Sequence, residues 1–94
     1  MNISDKILFV DDEKSLLTGL QLTLGRTFDV HVSSSVDEAL KMFEEQGPFA
    51  VVVSDFQMPV MNGAEFLQKI REVDKEVVTM LLTGAASFEN VSKL

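Results

Sequence analysis

The sequence predicts an α/β fold: a parallel sheet with crossover helices. Three observations carry this. Short, strongly apolar runs recur at Lys6–Val10, Phe49–Ser54 and Val77–Leu82, each of strand length. Between them lie stretches whose apolar residues repeat at helical spacing. The first run breaks off at Asp11-Asp12 and the second at Asp55. Acids there are what the carboxyl edge of an open α/β sheet presents, and that edge is where such sheets bind ligands.

Lys6 to Val10 reads as the first strand, buried on both faces. Asp11-Asp12-Glu13 then forms the turn and an acidic first helical turn, favourable to the helix dipole. Leu16, Leu17, Leu20 and Leu24 recur at helical spacing and predict a helix over Glu13 to Arg26. Gly19 weakens that helix, and Gly25 is placed to stop it. Phe28-Asp29-Val30-His31-Val32 alternates, as a half-exposed strand at a sheet edge does. On that alternation His31, the single histidine, faces outward into solvent.

Ser35 with Glu38 makes a capping box for the second helix, whose inward face is Val36, Ala39, Leu40 and Phe43. Gly47-Pro48 ends it, and Phe49 to Ser54 is the third strand. Asn62 caps the third helix, with Glu65 three residues on and Phe66, Leu67 and Ile70 as the buried stripe. A polar connection from Glu72 to Glu76 leads to the fourth strand, Val77 to Leu82, apolar on both faces. Thr83-Gly84-Ala85-Ala86 is a small-residue loop, and Ser87 caps a last helix from Phe88 to Leu94. The βαβαβαβα order implies parallel strands and right-handed crossovers.

Composition narrows the function classes. The chain is one domain of 94 residues, 46% apolar. Eight basic and 15 acidic residues give a net charge of −7. The excess argues against nucleic acid or an anionic membrane as a direct partner. There is no cysteine, so disulfides and thiolate metal sites are excluded. The apolar runs are far too short to span a bilayer, and Met1 to Lys6 lacks a signal-peptide pattern. A cytoplasmic location is the default expectation.

If the first and third strands are neighbours, Asp11, Asp12 and Asp55 converge. Crowded carboxylates repel unless a cation sits among them. Hard oxygen ligands in this number suit Mg²⁺, with Mn²⁺ an acceptable substitute, and the backbone carbonyl of Gln57 adds a further ligand. A carboxylate held beside such an ion can attack an activated phosphoryl group. Thr83 offers a hydroxyl to a phosphoryl oxygen, and Gly84 leaves space and a free N–H group beside it.

The chain resembles the response-regulator receiver domains of two-component signalling. The likeness rests on Phe9-Val10-Asp11-Asp12-Glu13, on Asp55-Phe56-Gln57-Met58-Pro59-Val60-Met61-Asn62-Gly63 and on Leu81-Leu82-Thr83-Gly84. It implies a flavodoxin-like sheet of order 2-1-3-4-5. It implies Asp55 as phosphoacceptor, Asp12 as direct metal ligand, Asp11 as a water-mediated one and Thr83 as the switch hydroxyl. A sensor histidine kinase or a phosphotransfer protein would supply the phosphoryl group. Such a domain is not an enzyme beyond catalysing its own aspartyl phosphorylation and dephosphorylation.

Receivers also have a fifth strand, which carries a lysine, and a fifth helix. Over residues 1–94 the expectation is therefore a receiver incomplete at its C-terminus, with order 2-1-3-4 and no lysine suitably placed. Lys93 falls too early, and Lys69 and Lys75 lie at the opposite sheet edge. The exposed fourth strand then predicts a homodimer or element swap through the strand 4 and helix 4 side. The competing reading is a structural or dimerisation fragment with impaired switching. An aspartate-based hydrolase fits less well, because Gln57 stands where its second acid belongs and cannot transfer protons.

Overall fold

The structure, a computed structural model, describes residues 4–82. Thr83, Gly84 and the expected helix from Phe88 to Leu94 lie outside the described residues. The elements run β1 (Lys6–Val10), α1 (Lys14–Leu24), β2 (Asp29–Ser33), α2 (Val36–Gln46), β3 (Val51–Asp55), α3 (Gly63–Val73) and β4 (Val78–Leu82). The four strands are parallel in the order β2-β1-β3-β4. This is the doubly wound, flavodoxin-like arrangement, with β1 and β3 side by side at its centre. No helix among the described residues is long and apolar enough to cross a membrane.

The predicted caps form as drawn. Ser35 Oγ accepts the Glu38 N–H at 3.2 Å, and Asn62 Oδ1 accepts the Glu65 N–H at 2.9 Å. Each satisfies one of the orphan donors that open a helix. At α1 the prediction shifts. Glu13 is the extended N-cap residue, not part of the first turn, so that turn carries no acid. The cause is Asp11, whose Oδ1 accepts the Glu13 N–H at 2.9 Å and holds the chain in a turn. The helix also ends at Leu24, two residues short of Arg26, with the Gly25 N–H bonded to Gln21 O.

β3 is displaced as well. It starts at Val51 and ends on Asp55. Phe49 is fully buried but belongs to the preceding loop, stacked on Phe43 at 5.8 Å. β4 begins at Val78, and Val77 before it is buried.

His31 departs from the expectation of a solvated side chain. Its ring meets Phe49 edge-on at 5.3 Å, and its Nε2 lies 3.1 Å from Asp29 Oδ1. The outward side of β2 is covered after all, because Phe49 folds across it.

The core has two unequal halves. Under α2 and α3, Leu8, Val10 and Val52 of the sheet meet Val36, Ala39, Phe43, Phe66, Leu67 and Ile70 of the helices. On the other face, Phe9, Leu17 and Val53 are the buried cluster under α1. Val78 and Met80 are in register with Val51 and Val53 and so share that second face. They are 55% and 51% exposed.

Candidate functional site

Two strand ends build the site. β1 and β3 are paired up to Val10 and Ser54, so the residues that follow emerge side by side. Asp11 is anchored to β2 as well, its N–H donating to Ser33 O at 3.2 Å. Asp12 follows it, exposed, and Asp55 is the half-buried last residue of β3. One carboxylate oxygen from each of Asp11, Asp12 and Asp55 lies within 4.8 Å of the others. The convergence that the sequence pattern implied is thus present.

The electrostatics of this cluster are unbalanced. Asp11 is 8% exposed, and burial is the main force holding its carboxyl above the ordinary 3.8. The Glu13 N–H pulls it back down, while the charges of Asp55 and Asp12 push it further up. None of the three acids forms an ion pair with a lysine or arginine among the described residues. Hard oxygens, excess negative charge and one solvent-facing ligand fit a Mg²⁺ ion that keeps several of its waters.

The loop after Asp55 is tied back onto the sheet. The Phe56 N–H donates to Leu82 O at 3.0 Å, and the Gly63 N–H donates to Phe56 O at 2.7 Å. In between, the Met61 N–H donates to Pro59 O at 2.9 Å across a three-residue turn centred on Val60, whose φ is +78°. A β-branched residue there is strained. Gln57, expected to offer its carbonyl, sits exposed in this loop immediately after the acid-bearing segment. Thr83 and Gly84 lie outside the described residues.

Two neighbours of Asp55 went unread in the sequence. Ser54 is fully buried, and its hydroxyl donates to Asp55 O at 2.9 Å. The signal was there: a hydroxyl inside an apolar strand must find a partner. Gly63 packs its Cα against the Asp55 carbonyl; the glycine closes the Asp55–Gly63 block that carries the family likeness, but the block does not say what the glycine touches. By contrast, an open groove of about 580 Å³ along α3, lined by Leu67, Arg71, Lys75 and Thr79 among others, contains none of the three acids.

The family model for the response regulator receiver domain matches residues 7–94. The hydrogenase transcriptional regulatory protein HoxA of Cupriavidus necator is 37% identical over 92 residues, covering 95% of this chain and 19% of that protein. The chain therefore spans about a fifth of that curated relative's length. The structure of an adenylate cyclase from Rhodopirellula baltica superposes with a TM-score of 0.87 at 35% identity, over 97% of this chain and 67% of that one. A response regulator receiver domain protein from Clostridium thermocellum gives 0.82 at 30% identity, over 94% and 71%. With the sheet order and the acid cluster in place, this chain belongs to the response regulator receiver domains of two-component signalling.

Proposed function

We propose that Asp55 accepts a phosphoryl group from a phosphohistidine, with Asp11, Asp12 and Asp55 holding Mg²⁺. The observation that supports this is the set of three carboxylates within 4.8 Å with no paired lysine or arginine among the described residues. Such an arrangement is costly without a cation and is explained by one.

Bound there, the ion supplies charge neutralisation at the phosphoryl oxygens. The chain's own residues do the rest. An Asp55 carboxylate oxygen attacks phosphorus, the phosphorus–nitrogen bond of the donor breaks, and its electron pair leaves on the imidazole. Asp12, exposed, is suited to direct ligation. Asp11, buried and already bonded to the Glu13 N–H, is suited to act through a water. Gln57 contributes its backbone carbonyl, Thr83 the switch hydroxyl and Gly84 an N–H group at the phosphoryl oxygens.

The phosphoryl donor is a sensor histidine kinase or a phosphotransfer protein, and the reaction belongs in the cytoplasm. The chain is not a turnover enzyme; its catalysis extends to its own modification. An acyl-phosphate donor, with phosphorylation followed by intact mass, tests the reading. Wild-type protein should gain one phosphoryl group only with Mg²⁺ present, and Asp55→Asn should gain none. Label that persists on Asp55→Asn would defeat it.

A second reading concerns β4. Val78, Met80, Leu81 and Leu82 are each 40% or more exposed along a strand with one strand partner among the described residues. An apolar edge of this kind favours association through the β4 side, either as a homodimer or by exchange of elements. Light scattering that finds only monomer at micromolar concentration rejects this reading.

A further inference from the structure

We propose that Ser54 and Gly63 are positioning residues for Asp55, acting together on its backbone carbonyl. This rests on the phosphoacceptor reading and deepens it. Pairing between β1 and β3 ends one residue before Asp55, at Val10 and Ser54. Asp55 therefore has a strand partner on one side only, Leu82 of β4. A strand-end residue held on one side is free to tilt, yet its carboxylate must meet those of Asp11 and Asp12 within 4.8 Å.

The missing restraint is supplied from two directions. Ser54 is fully buried, and its hydroxyl donates to Asp55 O at 2.9 Å. Gly63, the first residue of α3, closes on the same carbonyl from the loop side. Its φ is not positive, so glycine is not required there for backbone conformation. It is required for space. A Cβ at this position would overlap the Asp55 carbonyl oxygen and would lie 2.9 Å from both the Asp55 carbonyl carbon and Leu81 Cδ1. Leu81 can rotate away, but a backbone carbonyl cannot. Either α3 retreats or the tip of β3 does, and the Gly63 N–H bond to Phe56 O couples the two. The carboxylate moves with its backbone.

The experiment uses Gly63→Ala and Ser54→Ala, with Ile70→Val as control. Ile70 is fully buried on α3 and belongs to the core, not to the site. Two quantities are read at a temperature where all samples are folded. One is Mg²⁺ affinity, from NMR titration. The other is the rate of Asp55 phosphorylation by an acyl-phosphate donor at saturating Mg²⁺. Gly63→Ala should lose about 100-fold in that rate, as a misplacement near 1 Å does, and should bind Mg²⁺ more weakly. Ser54→Ala should show a smaller loss in both. Ile70→Val should be destabilised yet keep both.

If Gly63→Ala folds and matches Ile70→Val in affinity and rate, the proposal is overturned. If Gly63→Ala does not fold, Ser54→Ala decides: unchanged Mg²⁺ affinity and rate overturn the proposal, and reduced values support it. If wild-type protein binds Mg²⁺ but takes no phosphoryl group, the phosphoacceptor reading fails. The affinity comparison still tests the positioning claim in that case.

Discussion

The packed face under α2 and α3 and the carboxyl edge of the same sheet follow opposite rules. Beneath the two helices, Phe49, Phe66, Leu8, Ile70 and Val52 are sealed from water, and their contacts are mutually satisfied. At the edge, a few residues along the same strands, three acids face one another with no lysine or arginine paired to them among the described residues, and Val60 sits at a strained φ of +78°. The first region is built for stability. The second retains local costs that a ligand can offset, as functional sites do. The contrast predicts that comparable deletions in the two regions change stability with opposite sign.

The largest effect lies in the packed face. Phe66→Ala should cost about 3–5 kcal/mol, the usual toll for emptying a sealed aromatic site. On the α1 side, Leu22→Ala should fall within about 0.5 kcal/mol of wild type, since Leu22 is 74% exposed. Urea unfolding at constant m-value measures both. Equal costs would mean that sealing beneath α2 and α3 does not set what a deletion costs. Next in size is the metal. At a Mg²⁺ concentration of 100 times Kd, the wild-type domain should gain about 2.7 kcal/mol. Asp55→Asn removes one of the charges that binds the cation and should gain much less. Thermal melts with and without Mg²⁺ separate the two outcomes.

The same contrast explains what was legible in the sequence. The packed face announces itself, because Val36, Ala39 and Phe43, then Phe66, Leu67 and Ile70, repeat with the helical period. The acids announce themselves too, because apolar strands that break off at Asp11 and Asp55 leave a carboxylate nowhere to go but the edge. Long-range cover is what escaped. His31 alternates outward on β2, and only the fold of the loop carrying Phe49 puts a ring against it. Glu13 looks like a first-turn acid until the Asp11 carboxylate captures its N–H. No local pattern foretells Val60 in a left-handed conformation, since valine is among the residues least suited to it.

A smaller effect, of opposite sign to the core deletion, is expected at Asp11. Its carboxyl is held above 3.8 chiefly by burial, then by the neighbouring acids. A group whose folded value is raised favours the folded state fully below its unfolded value. That contribution disappears as pH rises through the folded value. Metal-free wild-type protein should therefore lose stability from this group as pH climbs above 3.8. Asp11→Asn keeps an oxygen for the Glu13 N–H and removes the charge. It should be more stable than wild type near neutral pH without Mg²⁺, and should show little of the Mg²⁺ gain. Denaturation across pH 4 to 7 checks this, and lower metal-free stability in Asp11→Asn would remove the repulsion argument.

The smallest effect expected is at Val60, which is 83% exposed and makes no core contact that its loss would forfeit. Holding a β-branched residue at this φ costs on the order of 1–3 kcal/mol. Val60→Gly removes that strain but adds freedom to the unfolded chain, a penalty of roughly 0.5–1 kcal/mol. The net should be a slight gain in stability, with the Met61 N–H still bonded to Pro59 O. Val60→Ala, which keeps a Cβ and so most of the steric conflict, should gain less than glycine. If alanine and glycine at this position prove equal, or both destabilise, the edge holds no strain in this turn. The repulsion among the acids would then be its only local cost.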